Sequence, residues 1–433
     1  MKKEVCENCR PLFEKLLKRI ELQDKRILEL EKRLAFYENP HTPPSQRRGR
    51  YPKPKRTGGK IGAPLGHIGT TRPTPKPNRF KKLALKRCPD CDKHLGRPRI
   101  VRKQIIEDIP DPQPLKITQF TIPYYFCNHC QQDITPTDPE LPFEGRFGPN
   151  LQAEVALMRF EDRLPDRKIT DTLNRRYGLM LTPATVLDIT RRVADQIEPV
   201  YEKIKQEVRD AAVVNADETG HKIKGVKHWV WTFVATVAIL FMIRPSRGQG
   251  PIKEALGEKF MGLLGCDGWT SYPKCVERIQ RCWAHLLREA KVLAEKGKEQ
   301  AKLLYGGLNK IFKRIKKITT KTIQTVRTRT YNWCLKELDL WIKTCKHHTE
   351  LKKFANKIEN GKEHWLTCVL HPEIEPTNNK AERALREIVV QRKISSLWNK
   401  KGARIKEITM SVLATWRLRG LNTFSMLRVN LSS

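Results

Sequence analysis

The hydrophobic and polar positions of residues 213–267 predict a central β-sheet. Short apolar runs precede Asp217 and Asp267, and such runs suit fully buried strands. Between them, residues 229–243 form a mostly apolar run of 15 residues, too short to span a membrane. A break in its middle would give two antiparallel strands. We therefore predict a three-stranded meander, a helix near residues 249–256 and a fourth strand, with both acids at strand ends.

Two carboxylates at neighbouring strand ends suit a hard divalent cation such as Mg²⁺. Two such ions about 4 Å apart can hold the attacking and leaving oxygens of a phosphodiester exchange. A site of this kind needs a third acid, and Glu382 in EPTNNKAERALR is the best candidate. Each acid also has an ordinary explanation: Asp217 as a turn residue, Asp267 in an Asp-Gly turn, and Glu382 in a capping box. Taken singly, the ordinary roles are the better explanation.

Composition narrows the choice of partners and compartment. The 433 residues suit two to four domains, and 84 Lys and Arg against 47 Asp and Glu give a net charge of +37. This charge favours nucleic acid over a membrane surface. We expect no signal peptide and no transmembrane segment. The twelve cysteines, several in CxxC pairs, fit a reducing interior with metal sites rather than a secreted disulfide scaffold.

Residues 10–38 carry a heptad pattern, with apolar residues alternately three and four positions apart. The pattern predicts a coiled coil that joins two chains; the alternative is an amphipathic helix docked on its own chain. Gln23 is the polar residue of the seam. Cys6 and Cys9 form a CxxC before this segment, and we interpret them as plain thiols unless two chains share a metal.

Residues 39–80 are predicted to be a basic, extended linker, with ten Lys and Arg and no Asp or Glu. Arg48 and Arg50 lie in a basic run that could follow DNA phosphates or enter a minor groove. A solvated spacer is an equally good explanation.

Four cysteines in residues 81–135 predict a zinc ribbon. Cys88 and Cys91 form one CxxC pair, and Cys127 and Cys130 form the other. Four thiolates in two such turns give a tetrahedral structural Zn²⁺ site. The residues between the pairs alternate as strands do.

Residues 147–205 are predicted to be helical and to resemble a helix-turn-helix. Gly178 would end one helix, while Thr182 would cap the next and Pro183 would occupy its first turn. The residues expected to be exposed on this second helix are Thr185, Asp188, Arg191 and Arg192. The alternative to DNA recognition is a helical pair packed on the catalytic core.

After Asp267 we predict a fifth strand that ends at residues 282–285. Cys282 and His285 could be half of a metal site or a buried pair that supports the active site. Residues 286–370 are predicted to be long basic helices inserted into the sheet's connectivity. Their segment 291–330 has twelve Lys and Arg against two Asp and Glu, which indicates either a solvated helical face or a face toward phosphates. The charge of the whole chain favours DNA contact.

The motifs ADETG, CDGWTSY, CWAH followed by LLRE, and TNNKAERALR occur in this order. Together they resemble the transposases of the insertion sequence 66 family, which belong to the Asp-Asp-Glu class. The N-terminal half is also similar, with its leucine-rich helix, a GGKIGAPLGH-type basic segment, a cysteine ribbon and a helical domain. The similarity covers nearly the whole chain. One departure is NPHTPPSQRR, where the family often has Ser and Asn, and it affects nothing catalytic.

The resemblance implies a multidomain α/β protein with a ribonuclease-H-like mixed sheet and an all-helical insertion. The catalytic core would comprise residues 210–285 and 371–433. Asp217, Asp267 and Glu382 would be the catalytic triad that binds two Mg²⁺ ions, for which Mn²⁺ can substitute. Cys282 and His285 would give structural support.

The implied activity is cleavage at the ends of an insertion element, followed by joining of the freed 3′-hydroxyl to target DNA. Arg383 and Arg386, within one turn of Glu382, are candidates for phosphate contacts, with helix-surface solvation as the alternative. Trp269 and Trp398 could stack on an unpaired base, although core packing is the simpler role for Trp269.

The resemblance further implies a homo-oligomer of at least two chains, accessory proteins from the same element, and a location in the cytoplasm of a prokaryote, at the nucleoid. Two rival functions stay open. One is a ribonuclease-H-fold nuclease for branched DNA, and the other is a DNA-binding transposase relic without catalysis.

Overall fold

The computed structural model describes residues 10–37, 75–107, 114–142, 144–295 and 298–432. Cys6, Cys9, Arg48 and Arg50 lie outside these residues. The chain divides into two compact units, one of residues 43–113 and one of residues 1–42 with 114–433. None of the described helices is long and apolar enough to cross a membrane.

Helix α1 (Arg10–Tyr37) covers almost the whole predicted coiled-coil segment. The described seam residues Leu16, Ile20 and Ile27 are each about half exposed, at 52%, 48% and 53%. A long helix with an exposed apolar face is what a coiled-coil strand presents before it pairs. Pairing with a second chain stays a prediction.

Strands β1 (Tyr125–Cys127) and β2 (Gln132–Ile134) form an antiparallel hairpin around the second CxxC pair. The prediction of further strands between the two cysteine pairs is wrong for the described residues 98–107 and 114–124, which contain none. Pro98, Pro114 and Pro123 interrupt this region, and proline removes the N–H that a strand ladder needs. Alternating apolar residues without a sheet to cover them do not make a strand.

Three helices follow: α2 (Pro149–Phe160), α3 (Asp166–Tyr177) and α4 (Pro183–Arg209). The predicted boundaries between α3 and α4 are confirmed. Gly178 ends α3 with a positive φ of 64°, and the Thr182 side chain accepts a hydrogen bond from the Thr185 N–H at 3.2 Å. The left-handed conformation favours glycine, and the hydroxyl satisfies one of the free N–H groups that begin a helix.

A five-stranded mixed sheet forms the centre of the larger unit. Its strands are β3 (Val213–Ile223), β4 (Val226–Val234), β5 (Ile239–Arg244), β6 (Leu263–Cys266) and β7 (Ile279–Arg281), in the order β5-β4-β3-β6-β7. Strands β3, β4 and β5 are the predicted meander, and β6 runs parallel to β3. Helix α5 (Gly250–Leu256) precedes β6, as predicted.

The prediction that Asp217 ends its strand is wrong, because β3 continues to Ile223 through polar residues. Pairing with β4 holds this second half of the strand, and the hairpin turns at Lys224 and Gly225, both with positive φ. The apolar run identified only the half of β3 that also pairs with β6.

The helical segment after the sheet has a hydrophobic core of its own. It consists of α6 (Trp283–Glu295), α7 (Glu299–Ile315), α8 (Gln324–Lys346), α9 (Thr349–Glu359) and α10 (Thr367–Leu370). Leu304, Leu338 and Ala355 are buried in this second core. A separate core is consistent with the predicted insertion between β7 and the last helices, which are α11 (Asn379–Ile394), α12 (Lys400–Leu418) and α13 (Thr423–Leu431).

Helix α12 covers the edge of the sheet at β5. The N–H groups of Ile239, Phe241 and Ile243 donate to side-chain oxygens of Thr415, Ser411 and Glu407, at 3.0, 2.9 and 2.7 Å. These acceptors are four residues apart, about 6 Å along a helix, which nearly matches two residues of a strand at about 6.8 Å. The helix therefore satisfies donors that an edge strand otherwise exposes.

Candidate active site

The strand register brings Asp217 and Asp267 to the same level. Strand β3 pairs with β6 in parallel at a constant offset, Val213 with Leu263 and Asn215 with Gly265, so the offset is 263 − 213 = 50 residues. The same offset separates Asp217 from Asp267. Neighbouring strands lie about 4.8 Å apart, and side chains at equivalent positions of parallel strands leave the same face. The two carboxylates are therefore neighbours, although β6 itself ends at Cys266.

Both carboxylates are held by backbone N–H groups. Asp217 Oδ1 accepts from the Glu218 N–H at 2.9 Å, and Asp267 Oδ1 accepts from the Trp269 N–H at 2.8 Å. Burial raises the pKa of Asp217 well above its ordinary value, and the nearby charges of Glu218, Asp267 and Glu382 raise it further. Carboxylates that repel one another in this way gain most from a cation between them.

The donor set fits a hard divalent cation. Asp217, Asp267 and Glu382 offer only carboxylate oxygens, which are the ligands that Mg²⁺ and Mn²⁺ prefer. All three residues are half-buried and keep some accessible surface, so solvent and a substrate phosphate could complete the coordination. This set of residues is the one that the sequence motifs indicated.

A buried asparagine connects the start of α11 to β3 beside Asp217. Asn378 is 1% exposed, and its Nδ2 donates to the Ala216 carbonyl oxygen at 2.7 Å. Its Oδ1 accepts from Asn215 Nδ2 at 3.1 Å. These bonds fix the N-terminus of the helix that carries Glu382 in its first turn. We call Asn215 and Asn378 the asparagine clamp.

Gly265 makes the asparagine clamp possible. Gly265 pairs with Asn215 across β3 and β6, and a Cβ atom at this position would lie 2.4 Å from Asn215 Nδ2. A larger residue would therefore push the Asn215 amide out of its place. The sequence motifs contained Asn378 and the strand contained Asn215, but no pattern indicated that they meet across 163 residues.

Cys282 and His285 lie at the start of α6, not at the end of a strand. The prediction of a strand through residues 282–285 is wrong, because β7 ends at Arg281 and α6 begins at Trp283. The Trp283 N–H donates to the Pro376 carbonyl at 2.9 Å, which ties this helix start to the loop before α11.

Cys282, His285 and Glu382 form one cluster. One ligand atom of each lies within 4.8 Å of the others, and His285 Nδ1 is 3.5 Å from Glu382 Oε1. Cys282 Sγ accepts a hydrogen bond from the Asn378 N–H at 3.1 Å. The pair thus contacts both the asparagine clamp and the predicted third acid. Sequence spacing had indicated the pair but not its neighbour Glu382.

A buried carboxylate, Glu218, lies beside Asp217 and was missed from the sequence. Arg247 Nη2 is 2.7 Å from Glu218 Oε1, and the Tyr272 hydroxyl donates to Glu218 Oε2 at 2.5 Å. Burial raises the pKa of Glu218, while Tyr272 and Arg247 lower it. The Arg247 guanidinium also stacks on the Trp269 ring, 3.8 Å from its centroid. Trp269 therefore has a packing role next to Asp267.

Two predicted arginines are less available than expected. Arg191 and Arg192 are half-buried, not exposed, and both form ion pairs with Asp188, at 3.1 and 2.5 Å. Glu144 contacts both as well. The helical pattern predicted which face of α4 carries these two arginines. It could not show that Glu144, from the loop before α2, pairs with them.

Arg383 and Arg386 are exposed on α11 near Glu382. Trp398 is 72% exposed. These side chains are accessible, and their contact with DNA stays a prediction.

The two CxxC pairs adopt the same turn. Cys88 O accepts from the Asp92 N–H at 2.9 Å, and Cys127 O accepts from the Gln131 N–H at 2.8 Å. Asp92 and Gln131, each just after the second cysteine, have positive φ values of 55° and 53°. Two matching turns with free thiols fit the predicted zinc ligands. The two pairs belong to different compact units, and joint binding of one Zn²⁺ by both pairs stays a prediction.

These features define a class of protein: a mixed α/β chain with a carboxylate site at the centre of its sheet, completed by an acid from a later helix. The sequence matches the family model described as Transposase IS66 family over residues 144–405, more than half of the chain. A protein described as uncharacterized protein y4jD, from Sinorhizobium fredii, is 22% identical over 352 residues, or 73% of this chain and 68% of that protein. The chain belongs to the IS66 transposase family.

Proposed function

We propose that this protein cleaves the ends of its insertion element and joins the 3′-hydroxyl to target DNA at the site of Asp217, Asp267 and Glu382. The placement of Asp217 on β3 at the level of Asp267, directly after the neighbouring strand β6, supports this most directly. The strand order β5-β4-β3-β6-β7, with its antiparallel meander and two parallel strands, supports the proposal of a ribonuclease-H-like core. The helices between β7 and α11 would then be the insertion in that core.

The three carboxylates would hold two divalent cations, Mg²⁺ or Mn²⁺. When bound, such cations activate a nucleophilic oxygen and stabilise the negative charge on the phosphoryl group in the transition state. The chain's own residues orient this site. The Glu218 and Trp269 N–H groups fix one oxygen of each aspartate, and the asparagine clamp sets the position of Glu382. Arg383 and Arg386, which are exposed on α11, would contact phosphates on the strand being cut.

The remaining domains would bind DNA and bring two element ends together. The net charge of +37 suits a polyanion, and α1 would pair two chains as a coiled coil. The cysteine turns would hold a structural Zn²⁺, and α3 with α4 would form the helix-turn-helix-like domain. Arg191 and Arg192 would contact DNA only after releasing their ion pairs with Asp188. We place this activity on DNA in the cytoplasm, with accessory proteins of the element as further partners.

A cleavage assay with Asp217→Asn tests the proposal. Asp210→Asn is the matched control, because Asp210 is an exposed residue at the end of α4. We expect Asp217→Asn to bind element ends as the wild type does but to cut them at least 10²-fold more slowly. Equal cutting by the wild type and Asp217→Asn would exclude this site, and binding without cutting in all proteins would favour the relic.

A further inference from the structure

A cavity of about 280 Å³ lies away from the candidate active site, where the ends of α2 and α11 meet α4 and the start of α12. Arg159, Ser395, Ser396, Lys401 and Lys406 are among its lining residues. Ser395 follows Glu382 by 13 residues along α11, which corresponds to about 20 Å of helix. The cavity is therefore a separate site.

Lys406 is a buried cation that forms no ion pair with any of the described residues. The side chain lines the cavity and is 3% exposed, and its Nζ hydrogen-bonds to no group in the described part of the chain. Burial, together with the nearby charges of Arg159 and Arg392, lowers the pKa of Lys406 to about 8. Burying an ammonium group without a partner is costly unless something else compensates it.

The acids around the cavity are already engaged. Arg159 Nε is 3.0 Å from Asp166 Oδ1, and Asp188, which also lines the cavity, pairs with Arg191 and Arg192. Arg392 donates to the Thr219 hydroxyl at 3.0 Å rather than to a carboxylate. The cluster therefore has more positive than negative charge, which suits an anion in the cavity.

The start of α12 adds hydrogen-bond donors at the same place. This helix has 19 residues, has no acid in its first turn, and begins at the cavity. Its cap, Asn399, accepts from the Gly402 N–H at 2.7 Å, so other N–H groups of the first turn are left for a ligand. Helix N-termini of this kind bind phosphate groups, and the hydroxyls of Ser395 and Ser396 are suitable further donors.

We propose that this cavity binds a phosphate group, held by Lys406, the N-terminus of α12 and the serine hydroxyls. The phosphate could belong to a DNA strand that runs over α11 and α12, or it could be free in solution. Phosphate binding in this cavity does not depend on strand transfer at the site of Asp217, Asp267 and Glu382. Either proposal can therefore fail without the other.

The test uses the full-length protein with Lys406→Met, which keeps the shape of the side chain but removes its charge. Lys401→Met is a second variant at an exposed lining residue. Lys203→Met, on the exposed face of α4 outside the cavity, loses the same charge and is the control. The measurements are the melting temperature with and without inorganic phosphate, and the salt dependence of binding to element-end DNA.

Phosphate is expected to raise the melting temperature of the wild type and of Lys203→Met, but not of Lys406→Met. Without phosphate, Lys406→Met is expected to melt higher than the wild type, because an unpaired buried charge is gone. A DNA phosphate as the ligand predicts that Lys406→Met and Lys401→Met each lower the slope of log K against log salt by about one, beyond any change in Lys203→Met.

The results of these measurements distinguish a DNA phosphate from a phosphate that is free in solution. Suppose that phosphate raises the melting temperature of the wild type but not of Lys406→Met, and that Lys406→Met binds DNA as Lys203→Met does. This result would support the site and assign it to a free phosphate. No protection of the wild type by phosphate, together with DNA binding by Lys406→Met like that of Lys203→Met, would overturn the proposal. A lower melting temperature for Lys406→Met without phosphate would also count against it, since it would mean that the charge already has a partner.

Discussion

Replacement of Asn378 by alanine should disconnect Glu382 from Asp217 without touching either acid. Asn378 links the start of α11 to β3 through Asn215 Nδ2 and the Ala216 carbonyl, at 3.1 and 2.7 Å. Alanine would keep the backbone hydrogen bond to Cys282 Sγ but remove both side-chain bonds. The change therefore tests whether the asparagine clamp positions the helix that carries the third acid.

The structure gives the size of the effect. Asn215 is 3% exposed, so its amide and the Ala216 carbonyl would both lose a buried partner. Each unsatisfied buried group costs about 1–3 kcal/mol, which predicts a loss of roughly 2–6 kcal/mol in the free energy of unfolding. Displacement of a reacting group by about 1 Å can cost about 10²-fold in rate. We expect a loss of cutting of this order, with DNA binding retained.

Two controls separate positioning from stability. Asn379→Ala makes the same chemical change at the next residue, which is exposed, and should behave as the wild type. Ser411→Ala removes the buried hydrogen bond from the Phe241 N–H of β5 to Ser411 of α12. It should lower stability without changing the asparagine clamp. Unfolding in urea and cutting rates would be measured for all three variants. Wild-type cutting by Asn378→Ala, or an equal loss of cutting in Ser411→Ala, would refute positioning by the clamp.

Three further predictions concern stability. Gly265→Ala places a Cβ atom 2.4 Å from Asn215 Nδ2 and should lower the free energy of unfolding by about 1–3 kcal/mol in urea; an unchanged midpoint would contradict the close contact. Ser411→Ala leaves the Phe241 N–H of the edge strand unpaired and should cost about 1–3 kcal/mol, whereas no loss would mean that α12 does not protect this edge. Burial and the Lys406 charge lower the pKa of His221 from 6.5 to about 4, so the unfolded chain takes up the proton first and stability falls by up to about 3 kcal/mol as pH drops through this range. His221→Gln should remove that dependence, and a wild type with constant stability from pH 7 to 4 would contradict the buried neutral ring.

The sequence predicted the elements whose signals are local. The apolar runs gave the meander, and the glycine and threonine around residues 178–182 gave the end of α3 and the start of α4. These signals depend on a few neighbouring residues and need no tertiary contact. The length of β3 was underestimated because its second half is polar and is held by pairing with β4.

The candidate site was only partly predictable. The family resemblance indicated Asp217, Asp267 and Glu382, whereas chemistry alone could not choose them among 47 acids. The asparagine clamp could not be predicted, because Asn215 and Asn378 meet only when α11 packs on β3. The ion pairs of Arg191 and Arg192 were missed for the same reason, since Glu144 approaches from a distant loop.

A strand-joining assay with pre-cut element ends, target DNA and Mg²⁺ tests most directly whether the site of Asp217, Asp267 and Glu382 carries out strand transfer. Ends with a 3′-hydroxyl and ends with a 3′-deoxy nucleotide would be compared, with the wild type and Asp267→Asn. We expect joined product only for the wild type with the 3′-hydroxyl. Joining by Asp267→Asn at the wild-type level would contradict the assignment of the site. No joined product from a wild type that cuts intact ends in a parallel reaction would indicate a nuclease instead of a transposase.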